Sequence, residues 1–481
     1  MGDGTVVSRL LALWLIGCSA LAHAQGVGVG DAVGAALRSA PEMVDAKLAV
    51  VESGADVKDA DGAFDLRLDA NWNYSESFAP VYLASVATAQ TLRLRDFVLD
   101  QSVTRRFSTG TEVGVEYLSF TENVFSNETS TTLTRETVVA RLTQPLLRGR
   151  SPSANLAPLR AAGHRDDAMR LVLKARAADL TRAVEVADWE LAYAERELDI
   201  EERALDASRK HLEDTRKRVR AGRVAPADLL IVERGVAVAA DELVASDGRR
   251  RAKVLELARL TGLDAAGLHA RDWPKDRGTV RPEAVMQAVR DAPMARSIDA
   301  LREARDQDAR ATDDRSLPRL DLIVAAGPSG EQPTVGDAFR AMARFDELAW
   351  SAGLVFTWSP GGSAQEAAAE RAQAGRRRAG LAREIAHRDL EDRVRKLVVA
   401  LDGAVRRGEL AEKAVDLAKR ALSAEQTRFE AGTVPAKNLL DRQMELAQAE
   451  LREARVQADA AVARAEIEGM TGENLDRFGV H

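Results

Sequence analysis

The chain has 481 residues and a net charge of −7, with 30% charged residues of both signs interspersed; nothing in it suggests a nucleic-acid partner. Only 4% of residues are aromatic while alanine is abundant, which suits long helices packed through small side chains better than a large globular core. Length alone suggests about three domains, a prior that internal repeats override.

Residues 1–24 read as a targeting segment. Arg9 precedes the apolar run Leu10 to Leu21, and Ala22-His23-Ala24 before Gln25 is a small-residue cleavage site. The run is too short to cross a membrane as a helix. A second processing route is written in Leu15-Ile16-Gly17-Cys18, which resembles a bacterial lipoprotein box with Cys18 lipidated as the mature N-terminus. Either route leads beyond the inner membrane. Cys18 is the only cysteine, so the mature chain is expected to hold no disulfide, and the six histidines are scattered without a pair at ligand spacing. No metal and no cofactor is expected.

After the signal, Asp31 to Ala40 reads as a short amphipathic helix, and Pro41 opens another that continues to Gly62. Glu283 to Ala292 and Pro293 to Asp313 are their counterparts in the second half. Between these helices and the long ones lie two inserts of different composition, residues 64–147 and 317–358. In the first, Phe64 to Ser75, Leu92 to Phe107, Thr111 to Ser119 and Thr131 to Leu147 alternate polar with apolar residues between Gly, Ser, Asn and Pro. Leu317 to Ala326 and Ala349 to Trp358 do so in the second. Most aromatic residues of the mature chain fall in these inserts, among them Trp72, Tyr74, Tyr117, Trp350 and Trp358. A small β-domain core would account for them. Strands of about ten residues with aromatics near their ends also meet the needs of an outer-membrane barrel, with these five residues as its girdle in lipid.

Long helices follow each insert, over 154–220 and 364–430, each about 100 Å in extent. Leu205, Leu212 and Val219 recur every seven residues, as do Leu229, Val236 and Leu243, which is an imperfect coiled-coil pattern. Each long helix runs into the same sequence. Arg218-Val219-Arg220-Ala221-Gly222-Arg223-Val224-Ala225-Pro226 returns 210 positions later as Arg428-Phe429-Glu430-Ala431-Gly432-Thr433-Val434-Pro435-Ala436, and Leu229-Leu230 as Leu439-Leu440. Glycine ends one helix in the left-handed conformation and proline opens the next, so both copies read as hinges of helical hairpins. Return helices are expected over 227–261 and 437–471. The chain therefore divides into a first repeat over 25–262, a linker over 263–282, a second repeat over 283–472 and a tail over 473–481.

With the strand insert, long helix, hinge and return helix all duplicated, the sequence resembles the TolC family of Gram-negative outer-membrane efflux proteins. The tandem R-x-x-x-G-x-V-x-x-x-x-L-L hinges and the Gln144-Pro145-Leu146-Leu147 junction carry the resemblance. It implies a mixed α and β membrane protein, built from two tandem repeats. A long antiparallel α-helical coiled-coil barrel would join a trimeric transmembrane β-barrel to which each chain gives four strands. It implies a homotrimer in outer-membrane lipid, with a long periplasmic extension, that partners a periplasmic adaptor and an inner-membrane pump. The adaptor would dock on tips formed by Ala221, Gly222, Arg223 and Val224 with Ala431, Gly432, Thr433 and Val434. A gate is also implied, in which Asp228 matches a linking carboxylate and Asp441 a ring carboxylate. Asn438 replaces the second ring carboxylate and Val434 a linking arginine.

The function implied is a passive conduit of a multipart efflux or type I secretion system. A periplasmic adaptor protein would carry one hairpin flanked by small β-domains, whereas two hairpins alternate with two strand inserts here. A coiled-coil scaffold would leave the strands and girdle aromatics unexplained. No recognisable motif assembles a nucleophile, base and orienter, so no enzymatic activity is expected. If cleavage follows Ala24, Cys18→Ala leaves localisation unchanged; a diacylglyceryl N-terminus found by mass spectrometry of the mature protein would overturn that choice.

Overall fold

The computed structural model describes residues 28–82, 89–125, 130–270, 273 and 280–480. The expected signal segment, Cys18 included, lies outside the described residues. Helices α1 (Val29–Ser39) and α2 (Pro41–Asp61) precede strands β1 (Leu66–Tyr82), β2 (Ala89–Arg106), β3 (Glu112–Phe125) and β4 (Ser130–Pro145). One turn of helix, α3 (Pro152–Asn155), is interrupted at Leu156 before α4 (Ala157–Arg220) begins, and α5 (Pro226–Thr261) returns from it. Then come α6 (Pro282–Asp291), α7 (Pro293–Arg315), β5 (Arg319–Gln332), α8 (Val335–Ala343) and β6 (Glu347–Thr357). Helices α9 (Ser363–Glu430), α10 (Ala436–Thr471) and α11 (Glu473–Arg477) complete the order.

The chain forms two compact units, to each of which α2, α4, α7 and α9 contribute a segment. The first unit holds residues up to 47, 172–295 and 388 onward. Its helices form a layer read from ion pairs across each seam. Arg249 of α5 reaches Glu197 of α4 (3.0 and 3.2 Å), Arg455 of α10 grips Glu190 of α4 with two nitrogens (2.8 and 3.2 Å), and Lys419 of α9 meets Glu450 of α10 (3.6 Å). Away from the tips the order is thus α5, α4, α10, α9, while near the tips α5 also meets α10. Alanines such as Ala187, Ala194, Ala454 and Ala458 are buried, so small side chains let the backbones approach. Val33 and Ala36 of α1 pack with Val184, Leu191 and Leu257, and Val285 and Val289 of α6 pack with Val394, Leu401 and Ile467. Leu268, in the stretch read as a polar linker, is buried in the first of these clusters.

The second unit holds residues 48–171 and 296–387. Its helical segments also lie side by side: Ser53 of α2 donates to Asp166 of α4 (2.8 Å), Arg165 of α4 to Asp308 of α7 (2.6 and 2.7 Å), and Arg376 of α9 pairs with Asp306 of α7 (2.6 Å). Six strands follow in one antiparallel sheet, in the order β1-β2-β3-β4-β5-β6. This corrects the four strands per chain that the resemblance implied. The physical reason is the tight turn after β2, in which the Phe107 N–H donates to the Thr111 carbonyl (2.9 Å) and the Gly110 N–H to that of Phe107 (2.8 Å). It folds β3 back on β2, so all four alternating segments of the first insert enter one meander.

The two faces of the sheet differ sharply. Leu66, Leu68, Ala70, Trp72 and Tyr74 of β1 share a face with Phe97, Leu99 and Val103 of β2, and with Val113 and Val115 of β3. On the same face lie Val138 and Leu142 of β4, Leu320, Leu322, Val324, Ala326 and Pro328 of β5, and Leu348, Trp350, Leu354 and Phe356 of β6. The opposite face carries Arg67, Asp69, Asn71, Asp100, Glu116, Arg141 and Asp321, with Val98, Leu118, Phe120, Val139 and Ile323 among them. At the far end of the apolar face α8 packs on β4 and β5. Ala338 and Met342 of α8 are buried, as are Thr134 and Glu136 of β4, while Phe339 stays exposed.

The turn between β2 and β3 is seated on the stretch that leads from β4 through α3. Asn155 Nδ2 donates to the carbonyls of Ser108 (2.9 Å) and Gly149 (2.7 Å). Gly110 has φ +78°, and a Cβ there would lie 2.0 Å from the Gly149 carbonyl oxygen. Gly110→Ala is therefore expected to cost about 1–3 kcal/mol or more. It should lower the temperature at which the folded band converts to the unfolded one in semi-native electrophoresis. An unchanged temperature would show that the turn does not need this close approach.

Candidate functional site

Both hairpin tips close with the same turn. Gly222 has φ +68°, its N–H donates to the Val219 carbonyl (3.0 Å), and the Arg223 N–H donates to that of Arg218 (2.9 Å). Gly432 has φ +76°, with Gly432 N–H to Phe429 (3.0 Å) and Thr433 N–H to Arg428 (3.0 Å). This pair of bonds satisfies carbonyls that the helix end would otherwise leave open, and it requires the left-handed residue that glycine supplies. Pro226 then opens α5 and Pro435 immediately precedes α10, where a missing N–H and a fixed φ are tolerated.

Ala221, Gly222, Arg223, Ala431, Gly432 and Thr433 are exposed, and Val224 and Val434 are half-buried. No atom lies within 4 Å of the position a Cβ would take at Gly222 or Gly432, so the turns face open space. Asp228 stands half-buried in the first turn of α5, where the helix dipole favours a carboxylate. Asn438 and Asp441 are exposed on α10. Among the described residues, the side chains of these three make no hydrogen bond or ion pair within the chain.

Behind the tips lies a cluster that the sequence reading did not single out. Phe429 is buried with Val232, Ala436 and Leu439, and Leu212 and Val434 pack against them. Arg218 donates to the Phe429 carbonyl (2.7 Å) and places its guanidinium 4.3 Å from the centre of the Phe429 ring. His211 meets the same ring edge-on at 5.1 Å, and its Nε2 lies 2.9 Å from the Ala436 carbonyl, to which it donates. Arg428, the counterpart of Arg218, instead pairs with Glu425 of its own helix (3.2 Å). The available signal was compositional, since an aromatic inside a long helix stands out in a chain so poor in them.

The girdle candidates fall in the second unit. Trp72 and Tyr74 on β1, Tyr117 on β3 and Trp350 on β6 project from the apolar face, and Trp358 follows the end of β6. Trp72 and Trp350 are 73% and 76% exposed in the single chain. Trp72 lies 5.9 Å from Phe97 across the strand pair. Tyr117 differs, because its hydroxyl donates to Glu136 (2.6 Å), which also accepts from Ser119 (2.8 Å). Among the described residues no cluster of His, Cys, Asp and Glu could hold a metal, and no helix is long and apolar enough to cross a membrane.

The chain joins an antiparallel sheet with one largely apolar face to paired antiparallel helices that end in glycine turns. The chain has the fold of the TolC-like outer-membrane channels. It is similar to the outer-membrane channel OprN at 15% identity, covering 92% of this chain and 89% of that one, with a TM-score of 0.68. The outer membrane protein VceC from Vibrio cholerae is similar at 15% identity over 92% of this chain and 96% of its own, with a TM-score of 0.67. The Neisseria gonorrhoeae MtrE outer membrane channel, in its open state, is similar at 15% identity over 94% and 93%, with a TM-score of 0.61. No protein-family model matches the sequence, and no curated protein does.

Burial holds the His211 imidazole below its ordinary value of 6.5, against the opposing pull of the Ala436 carbonyl and the Asp214 carboxylate, and Arg218 adds to the lowering. The unfolded chain therefore takes up the proton first, so stability at this contact is intact above about pH 6.5 and falls as the pH drops below it. Amide hydrogen exchange over residues 428–440, corrected for intrinsic rates, should be faster at pH 5.5 than at pH 7.5. His211→Gln should remove that difference. Equal protection at both pH values in the unaltered protein would contradict the assignment.

Proposed function

We propose that the chain is one protomer of a homotrimeric outer-membrane conduit. It passively carries substrates from an inner-membrane pump and a periplasmic adaptor to the exterior, within a multipart efflux or type I secretion system. The observation that carries this reading is the sheet: one face carries an exposed apolar band, and β1 and β6 are edges without partners among the described residues. Backbone groups left open in hydrocarbon cost several kcal/mol each, so such a sheet must close on other copies. The helices support the same closure. Val399, Leu410 and Leu417 on α9 and Leu230, Val244 and Leu255 on α5 are exposed, and these are the outer helices of the first unit's layer. In the second unit the outer helices α2 and α9 expose Val51, Leu381 and Ile385.

In this reading the hinge tips, Ala221 to Val224 and Ala431 to Val434, form the periplasmic end on which the adaptor docks. Asp228, Asn438 and Asp441 line the constriction behind it, and the girdle aromatics sit in outer-membrane lipid. The two halves of the chain act as efflux repeats over 25–262 and 283–472. An adaptor protein is the second reading, and the exposed apolar face speaks against it, because a soluble β-domain would bury such residues as Leu68, Trp72, Trp350 and Leu354. No group in the reading touches a reacting atom, and the pump selects the substrate.

The protein should run as a crosslinkable, heat-modifiable trimer in the outer-membrane fraction; a detergent-solubilised monomer that still conducts would defeat the reading. The docking part is tested at the tips. Gly222→Trp with Gly432→Trp places bulk in open space at a local cost of roughly 1 kcal/mol or more per turn. It should abolish export while leaving trimer yield unchanged. Gly222→Asn with Gly432→Asn, which suits the left-handed turn without bulk, should keep export. Normal export by the tryptophan variant would remove the tips from the docking mechanism.

A further inference from the structure

We infer that the hairpin β2–β3 is built into the channel wall, so that three copies close eighteen strands and enclose a wide lumen that prefers cations. This rests on the trimeric conduit proposed above and goes beyond it in strand number, bore and charge.

The connections within the second unit set the argument. The lateral order of its helices, α2, α4, α7 and α9, matches the order of the strands they join: α2 leads into β1, β4 into α4 through α3, α7 into β5, and β6 into α9. Only β2 and β3 join no helix. Helix axes about 9 Å apart place four helices across about 27 Å. Strands about 4.8 Å apart and tilted about 40° each advance about 6 Å around a wall, so four would span about 19 Å and six about 31 Å. Six strands span a width close to that of the helices that feed them.

The hairpin is also anchored as a wall element. Both strands pair along their length, β2 with β1 and β3 with β4, and the turn between them is held by Asn155 and pressed on Gly149. The apolar face continues across it through Leu99, Val103, Val113 and Val115. A flap outside the wall would need neither the pairing on both sides nor the apolar face.

Eighteen strands enclose a backbone radius of about 18 Å and twelve about 12 Å, and barrels of this larger size leave an aqueous channel. The polar face becomes the lumen. On it Arg135 pairs with Glu331, Arg141 with Glu116, Arg319 with Asp321 and Arg67 with Asp69. Asp96, Asp100, Glu112, Glu122 and Glu347 are left without an arginine among the described residues, against one arginine, Arg106, without a carboxylate, so carboxylates dominate the field that a passing solute meets. The bore suits bulky hydrophilic solutes, with cations ahead of anions.

The test is made on the full-length protein purified from outer membranes. A spin label at Ala352→Cys, on the lipid face of β6, reports the distance between copies independently of any gate, since Cys18 is either cleaved off or blocked by lipid and the mature chain has no other thiol. For three copies it should be about 40 Å with eighteen strands and about 30 Å with twelve. Ser351→Cys on the lumen face provides a second site with a shorter distance. The native mass should be that of three copies, and reversal potentials in a salt gradient should show a preference for potassium over chloride that Asp100→Asn with Glu122→Gln lowers at least twofold. A trimer with the shorter spacing, a two-copy assembly of twelve strands, or a preference for chloride would overturn the inference while leaving a conduit. A protein that neither oligomerises nor conducts would overturn the conduit reading itself.

Discussion

A β-sheet in hydrocarbon cannot keep an edge. Every N–H and C=O along an outer strand would lie where no water reaches it, and that cost exceeds what apolar side chains recover. Here β1 and β6 are both edges, and one face of the sheet between them carries an apolar band that crosses all six strands. In the conduit reading, closure therefore comes from other copies of the chain, and whatever closes the sheet also sets the spacing of the helices connected to it. The exposed leucines and valines on the outer helices follow the same logic in water, where the hydrophobic effect supplies the drive instead.

The apolar face also records how the strands lie. Ala352, midway along the apolar run of β6, shares a hydrogen-bonded row with Val324, Leu142, Val113, Arg105 and Leu66. Leu66 is the base of the β1 run, which continues up through Trp72 and Tyr74 to Phe78. The apolar band thus climbs relative to the rows on passing from β6 to β1. A flat membrane crossing tilted strands produces this offset, and the staggered register of a closed barrel requires it. Above the band the same face turns polar, with Glu136 and Thr134 buried and α8 packed there on β4 and β5, its Phe339 exposed.

Much of this was legible in the sequence because its signals are local. Alternation in six segments reported six strands directly, and the count of four arose only from the resemblance. Gly222 and Gly432 followed by proline reported turns because left-handed backbone is a property of single residues. The contacts of His211, Arg218 and Phe429 were not legible, since they join positions more than two hundred residues apart and no local pattern encodes which helix faces which. Leu268 shows the converse failure: in a polar stretch it reads as linker, yet its burial depends on Val33 and Leu191, far away in the chain.

The two tips show how similar sequences acquire different roles through packing. Their backbone turns superimpose in hydrogen-bond pattern, and each begins with an arginine four residues before the glycine. Arg218 spends its charge on the carbonyl and ring of Phe429, so it ties the first hairpin to the second. Arg428 stays within its own helix on Glu425. After the glycine the first tip presents Arg223 and the second Thr433, both exposed. A partner meeting the two tips finds equal backbone shape but unequal charge, so it can seat on both while distinguishing one from the other.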